Sequence, residues 1–437
     1  MHGNKLQEIM TYSEAIDFLF TRLPMYQRSG SAAYKDNLDN TWRLDEWFGH
    51  PHRAFKSIHV AGTNGKGSVS HMLASVLQSA GYRTGLYTSP HLVDFRERIR
   101  IDGGMIPQEK VVDFVMQNQA VITEIAPSFF EMTVAMAFDY FSRERVEVAV
   151  IETGLGGRLD STNIVDPVLS IITNIGLDHT ALLGPTLPLI AAEKAGIIKK
   201  DTPVVIGRRQ QETRPVFEEK ARAMKAPLLM ADEALSVLLM NQGAHALSVR
   251  VLKNGHVFMD DLVLPLPGNY QLENLRTVLA SVEELVRQGF EISEMHLRSG
   301  MAGVVANTGL RGRWQILSSQ PLTICDTGHN EDGMRMIVEQ IKALEFNCLH
   351  FVLGMVSDKE VDPILALLPT HARYYFTRAN IPRSLDPELL QKKALVHGLS
   401  GQIFANVPEA WRAAQKNAGD NDLIFIGGST FVVAEVV

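Results

Sequence analysis

Short apolar runs alternate with helical spacings along most of this chain. The run Ser57-Ile58-His59-Val60 leads into a glycine-rich turn. After that turn Val69, Met72, Leu73, Val76, Leu77 and Ala80 recur at the spacing of one helix face, and Gly81 stands where a C-cap glycine belongs. Residues 84–87, 146–151, 169–173 and 204–206 are apolar runs short enough to be buried strands. Strands and helices in alternation predict an α/β fold with a mainly parallel sheet.

The texture changes after Pro227. Residues 247–264 alternate around Asn254-Gly255, a two-residue hairpin signal, and predict a small antiparallel addition to the first domain. A helix is expected over 270–288, then a glycine-containing segment, 300–312, that reads as a domain boundary. Beyond it, 322–325, 349–353, 374–377 and 423–426 again look like buried strands, and predict a second, smaller α/β domain. The division expected is 1–305 and 306–437. Residues 423–437 are too short and too interrupted to span a bilayer, and read as a strand and a following element.

Composition narrows the class. The chain has 437 residues, 46% of them hydrophobic, and a formal net charge of −7, values of a globular protein of two or three domains. The acidic balance argues against a general nucleic-acid binder, which needs a dense phosphate-neutralising surface. Cys325 and Cys348 are the only cysteines, too few for a disulfide framework or a CxxC metal site. The polar first eleven residues lack the apolar run of a signal peptide. A soluble, cytoplasmic protein is expected, without a nucleic-acid or membrane partner.

The best chemical signal is the turn Gly62, Thr63, Asn64, Gly65, Lys66, Gly67 and Ser68, between a strand and a helix. Convergent backbone N–H groups, a helix N-terminus and a lysine can hold phosphates. The general pattern GxxxxGK[ST] is not met, because Val60 takes the place of its first glycine and Gly67 follows the lysine. The plain alternative is a tight glycine turn in any βα unit; the placement between strand and helix favours phosphate.

Gly62-Thr63-Asn64-Gly65-Lys66 resembles the variant P-loop of the Mur-ligase superfamily, the ATP-dependent amide ligases. Four further motifs follow in order: Thr88-Ser89-Pro90-His91-Leu92, the run Glu152-Thr153-Gly154-Leu155-Gly156-Gly157-Arg158-Leu159-Asp160-Ser161-Thr162-Asn163, Leu177-Asp178-His179-Thr180, and Glu193-Lys194-Ala195-Gly196-Ile197. Together they resemble the folylpolyglutamate synthase/dihydrofolate synthase family, from about residue 12 to the C-terminus. The resemblance implies a P-loop ATPase domain that binds ATP and pterin over 1–305 and a Rossmann-like ligase domain over 306–437.

It also implies site roles. Ser89, Glu152 and His179 become magnesium ligands, and Lys194, carbamylated, an oxygen ligand for a second magnesium. A buried strand ending in Glu152 would point its carboxylate at the P-loop side, and magnesium takes such oxygens; imidazole suits softer metals better. A capping carboxylate, a structural histidine and a surface lysine are the bland readings of Glu152, His179 and Lys194. Asn274, Arg313 and Asp326 complete the implied ATP site, with Lys66, Lys194 and His329 as catalytic groups. An arginine can neutralise phosphate and an aspartate can accept ribose hydroxyls. The family's Asp-x-Ala-His-Asn-Pro is altered here, with Gly328 for the alanine and Glu331 for the proline. Met25, Tyr26, Gln27 and Arg28, then Phe130, Glu131, Met132 and Thr133, then Leu159, Asp160 and Ser161 match pterin-contacting segments; Phe130 could stack on a pterin, though aromatics at such spacing are commonly core.

The implied reaction adds L-glutamate to dihydropteroate and to reduced folates through an acyl phosphate, with ATP as substrate, two magnesium ions and a monomeric enzyme. Four competing readings are weighed: a folylpolyglutamate synthase alone, a peptidoglycan-precursor ligase, a nucleotide-binding regulator without turnover, and a P-loop kinase or GTPase, which fits poorly because Gly67 follows the lysine. The altered 328–331 loop favours the regulator; the joint presence of Lys66, Ser89, Glu152, His179 and Lys194 argues against it. A P-loop near residue 62 leaves little chain ahead of it for the UDP-sugar-binding domain that peptidoglycan-precursor ligases normally carry.

Overall fold

The computed structural model describes residues 10–24 and 37–437, so Met25, Tyr26, Gln27 and Arg28 lie outside the described residues. Its largest sheet has eight strands. In chain order they are β1 (Lys56–Ala61), β2 (Thr84–Tyr87), β3 (Ile99–Ile101), β4 (Gly104–Met105), β5 (Val148–Glu152), β6 (Leu169–Ile172), β7 (Val204–Ile206) and β8 (Leu228–Met230). They lie β4-β3-β2-β5-β1-β6-β7-β8, with only the β2–β3 and β3–β4 pairs antiparallel. β1 therefore sits between two strands that come much later in the chain. The crevice at the strand ends beside such a crossing point is where open α/β sheets bind ligands.

The small antiparallel sheet has three strands, β9 (Leu235–Gln242), β10 (Leu247–Lys253) and β11 (His256–Leu264), in the order β11-β10-β9. The hairpin around Asn254-Gly255 is present, with positive φ at both residues. β9 has no forerunner in the apolar pattern, because Leu238, Leu239 and Met240 all face outward and blur the alternation.

The last sheet has six strands: β12 (Gln315–Ser319), β13 (Leu322–Cys325), β14 (Leu349–Leu353), β15 (Arg373–Phe376), β16 (Gly401–Ile403) and β17 (Leu423–Gly427). Their order is β12-β13-β17-β14-β15-β16, parallel except for β12–β13. β12 and β16 are partly exposed edge strands, which is why no apolar run announces them.

Helix Lys66–Ser79 follows β1 and is buried along its whole run from Gly67 to Leu77, not on one face. Its apolar face packs on the sheet, and helices Gln271–Arg287 and Glu294–Ala302 cover the other side. Gly300 makes that close packing possible: a methyl there would stand 2.6 Å from the Cα of Val76. The Ser75 hydroxyl donates to the Gly300 carbonyl at 2.6 Å, so the polar face is satisfied where it is covered. The 300–312 segment is thus mostly helix, Glu294–Ala302 and Val304–Thr308, rather than an open linker. Leu310 packs with the core around β1, and Trp314 with the core around β14 and β17. Among the described residues no helix is long and apolar enough to cross a membrane.

Candidate functional site

The turn after β1 is held in one shape from below. Gly62 and Gly65 have φ of 147° and 84°, a region that side-chain-bearing residues avoid. Side-chain atoms of Thr173 and Asn274 fill the space a methyl would need at each. The Thr63 N–H donates to the Asn174 carbonyl at 2.9 Å and the Asn64 N–H to the Asn174 side chain at 2.8 Å. Thr173 Oγ1 donates to the Asn64 carbonyl at 2.5 Å. The helix that starts at Lys66 then directs its free N–H groups and dipole into the crevice, an anion site in waiting. Ser68 is buried and accepts from Gln271 Nε2 at 3.2 Å. Lys66 is half-buried and folded back on its own loop, donating to the carbonyls of Gly62 at 3.0 Å and Thr63 at 3.2 Å.

The opposite wall comes from the C-terminal part of the chain. A methyl at Gly67 would stand 3.3 Å from Arg313 Nη2 and 3.8 Å from Glu152 Oε2, so guanidinium and carboxylate both border the loop. Arg313 is held by the Thr327 hydroxyl and the Gly312 carbonyl. Asp326 is buried with both oxygens taken: Oδ1 accepts from the Gly328 N–H at 2.8 Å, and Oδ2 from the Trp314 N–H at 2.7 Å and the Tyr270 hydroxyl. Burial pushes its carboxyl up. It ties the two halves together while still bordering the crevice. Asn274 is buried beneath Gly65 and donates to Gln271 Oε1 at 2.8 Å.

Between these walls lies a corner of charge. Glu152 ends β5, is 4% exposed, and accepts from the Ser89 N–H at 3.2 Å. No cationic side chain of the described residues is within 4.0 Å of it, and burial pushes its carboxyl up against the pull of nearby Lys66. Lys194 is 4% exposed and donates to the Gly62 carbonyl at 2.9 Å; burial, with Lys66 nearby, lowers its amine to about 7. Burial holds His179 at about 4, so at neutral pH its ring is neutral and can be a ligand.

Asp178, which the sequence places in a motif but not in a role, is the hub that joins the halves. It accepts from Lys359 Nζ at 2.7 Å and Asn330 Nδ2 at 3.1 Å, and His329 Nε2 lies 3.4 Å away. Burial opposes its ionisation, but His329 and Lys359 outweigh burial and hold it well below the usual range. Asn64 and Asn330 exchange bonds of 3.1 and 2.9 Å across the same gap. The altered 328–331 loop is therefore well formed. Ile337 occupies the space an alanine methyl would need at Gly328, and Glu331 opens helix Glu331–Lys342 with a 2.6 Å bond from Arg335.

Two cavities meet here. One, of about 240 Å³, runs along the phosphate loop. The other, of about 230 Å³, is walled by Phe130, Leu155, Leu159, Asp160, Ser161 and Phe431. Ser89, Pro90, Gly154, Leu155, His179, His329 and Thr430 border both. Of the residues matched to pterin contacts, Phe130, Leu159, Asp160 and Ser161 reach this wall. Glu131 borders it too, while its carboxylate accepts from the Ser128 N–H at 2.6 Å and caps helix Phe129–Arg143. Asp160 accepts from the N–H groups of Leu155 at 2.8 Å and Thr162 at 3.0 Å. Met132 and Thr133 do not line this cavity: they are 0% and 1% exposed, Met132 turned about 200° around the helix from Phe130 into the core, and Thr133, on the same side of the helix as Phe130, donating its hydroxyl to the Phe129 carbonyl at 2.7 Å.

Arg98, Lys359 and Arg383 also line the second cavity and carry no motif that marks them. Arg98 is 2% exposed, donates to His91 Nδ1 at 2.8 Å, and lies 5.3 Å from the Phe129 ring centre. No carboxylate of the described residues comes within 4.0 Å of it; burial lowers its pKa, and Tyr87 with the more distant Glu152 and Glu97 offsets that only in part.

Residues 60–282 match the Mur ligase middle domain and residues 312–430 the Mur ligase glutamate ligase domain. A probable bifunctional folylpolyglutamate synthase/dihydropteroate synthase of Haloferax volcanii is 32% identical over 98% of this chain; the chain spans 50% of that relative's length. The structure of Escherichia coli FolC in complex with DHPP and ADP is 30% identical, with a TM-score of 0.83 over 98% of this chain and 97% of that one. A bifunctional folylpolyglutamate synthase/dihydrofolate synthase with Mn, AMPPNP and L-glutamate bound is also 30% identical, with a TM-score of 0.82 over 98% and 97%.

Proposed function

The chain belongs to the folylpolyglutamate synthase/dihydrofolate synthase family of Mur ligases, and from that premise we propose that it joins L-glutamate to dihydropteroate and to reduced folates at the expense of ATP. The observation that carries this reading is the junction of the two cavities at Ser89, His179 and His329. An acid lying in the apolar cavity meets the terminal phosphate of a nucleotide lying on the loop. The relatives whose structures hold ADP with DHPP, and AMPPNP with Mn and L-glutamate, support the same assignment of ligands.

The chemistry follows from leaving groups. Oxide is too poor a leaving group for an amine to displace from a carboxylate. A carboxylate oxygen attacks the γ-phosphorus of ATP, the bond to the β–γ bridging oxygen breaks, and ADP departs. The amine of glutamate then attacks the acyl carbon, and phosphate leaves with the oxygen the acid contributed. Little covalent work falls to the protein, which must position the reactants and stabilise charge.

Lys66 exchanges its loop carbonyls for phosphate oxygens, and Arg313 reaches the same phosphates from the C-terminal half. Glu152 fits a divalent cation, being a buried carboxylate with one N–H partner and no cationic side chain within 4.0 Å. Ser89, Glu152 and His179 would hold magnesium, and a carbamylated Lys194 a second ion; the lowered amine of Lys194 supports that modification, which requires the neutral form. Bound there, magnesium would supply positive charge that offsets the repulsion between anionic reactants. Arg98 offers its charge to a substrate carboxylate, and Phe130 its ring to the pterin. His329, held by the Thr327 carbonyl at 2.9 Å and by Asp178, serves the amine. We place the first site on residues 1–305 and its closing half on 306–437, in a monomer working in the cytoplasm.

The test is phosphate release from ATP with magnesium and L-glutamate, comparing dihydropteroate, tetrahydrofolate and a UDP-muramoyl acceptor. Release with both pterins, and products heavier by one glutamyl unit, is expected. Release with the sugar nucleotide alone would overturn the assignment.

A further inference from the structure

Outside both cavities, the turn that feeds β1 gathers three metal-ligating side chains. Asp45 projects from the last turn of helix Asp39–Trp47 and is 3% exposed. His50 follows with φ 60° and ψ 54°, and the short turn Pro51–Arg53 carries His52, 4% exposed. His50 Nδ1 lies 2.7 Å from Asp45 Oδ2, and His52 Nδ1 lies 2.6 Å from Asp45 Oδ1. One ligand atom from each residue falls within 4.8 Å of the others, the only such group among the described residues.

The turn does not need these side chains to close. The backbone already ties it: the His50 N–H donates to the Asp45 carbonyl at 2.8 Å, Gly49 to Glu46 at 3.0 Å, and Arg53 to His50 at 3.1 Å. A buried carboxylate clasped by two imidazoles comes in addition to that closure. His50 also holds a left-handed backbone that few side-chain-bearing residues adopt. Pro51 fixes the chain between the two rings, so both are presented with little freedom left to lose.

We propose that Asp45, His50 and His52 bind one divalent transition-metal ion of the zinc class. Two imidazole nitrogens and one carboxylate oxygen suit zinc, nickel or copper, whereas magnesium prefers an all-oxygen shell. Three protein ligands leave a fourth position for water, and the partly exposed His50 ring leaves a path to it. With metal–ligand bonds of about 2.0–2.2 Å, ligands around a tetrahedral ion stand roughly 3.4 Å apart. The contact to the ligating oxygen therefore opens by less than about 1 Å on binding, while the remaining ligand atoms, now within 4.8 Å of one another, draw in around the ion. Ligation through Nδ1 requires that nitrogen to be free of its proton, which the Nε2-protonated tautomer of each ring allows. The ion clasps the end of helix Asp39–Trp47 to the entry of β1.

The experiment compares the full chain with His50→Asn. Asparagine accepts the left-handed backbone and removes one ligand, so the turn is kept. Both proteins are stripped with chelator, saturated with magnesium, equilibrated with zinc and assayed for bound metal and for melting temperature. The wild type is expected to retain one more zinc per chain than the variant and to bind it at least about tenfold more tightly. Zinc should raise the melting temperature of the wild type more than that of the variant, since a ligand bound to the native state stabilises it. Trp42, whose ring centre is 5.8 Å from that of His52, gives a second readout: nickel or copper should quench its fluorescence in the wild type and less so in Asp45→Asn. Equal zinc content and equal melting shifts in wild type and His50→Asn, or no uptake by either, would overturn the proposal.

Discussion

On the phosphate-loop side of Ser89 and His179 the walls are backbone amides, glycines and short polar side chains. On the other side rings and aliphatic chains stand among a few charged side chains, with Arg98 the buried guanidinium and Lys359 and Arg383 nearer the surface. The loop that floors the first region is one contiguous stretch of chain, because a phosphate is held by successive N–H groups of one turn, although its opposite wall comes from distant elements. The second is made by single residues from many elements, because an apolar slot needs only shape and burial. Two neighbouring cavities, each of a few hundred cubic ångströms, thus obey different rules of construction.

Substitutions on the two sides should separate cleanly. The largest effect belongs to Lys66→Ala, expected to lower kcat by about 10²–10³-fold through lost charge stabilisation. Its circular dichroism should match wild type, since Lys66 bonds only its own loop carbonyls in this structure. Glu152→Gln follows, with turnover down about 10²-fold and the magnesium titration displaced to higher concentration. An unmoved titration would remove Glu152 from the cation corner.

Arg98→Met should act on the other cavity. The KM for the pterin acid is expected to rise about 10–100-fold, because the substitution takes a charge-assisted hydrogen bond out of a buried site. The KM for ATP should stay unchanged. A shift in both constants would break the separation of the two cavities.

Two further changes should show in stability. Lys194 has a folded value of about 7 against an ordinary value of 10.5. Above pH 7 the unfolded state binds more protons than the native state, so the native state gains stability as pH rises from 7 toward 10. Below pH 7 both states are protonated and the burial penalty is complete. In carbonate-free buffer Lys194→Met should therefore raise the melting temperature most below pH 7, with the advantage shrinking toward pH 10. Met132→Ala should cost about 2–5 kcal/mol in a denaturant titration, as core truncations do, and leave the KM for the pterin acid in place. A raised KM would bring Met132 back to the cavity wall.

The same contrast explains how much of the molecule is legible in its sequence. The phosphate loop, the strand ending at Glu152 and the alternating α/β order stand in the linear pattern, because each depends on local spacing. Adjacency groups Met132 and Thr133 with Phe130; helix geometry turns Met132 into the core, and Thr133 is buried with its hydroxyl on the Phe129 carbonyl. Motif position assigns Asp326 to a ribose, and tertiary packing uses both its oxygens for Trp314, Gly328 and Tyr270. Asp178, Lys359 and Asn330 converge from positions far apart in the chain, and no local pattern could bring them together. Edge strands β9, β12 and β16 leave no apolar run for a related reason, since exposed strands need not be apolar.

The most direct measurement follows oxygen. Dihydropteroate labelled with ¹⁸O in its carboxylate would be turned over with ATP, magnesium and L-glutamate, and the released phosphate analysed by mass. Passage through an acyl phosphate at the junction of the cavities leaves one labelled oxygen in each phosphate. Unlabelled phosphate accompanying glutamylated product would contradict it.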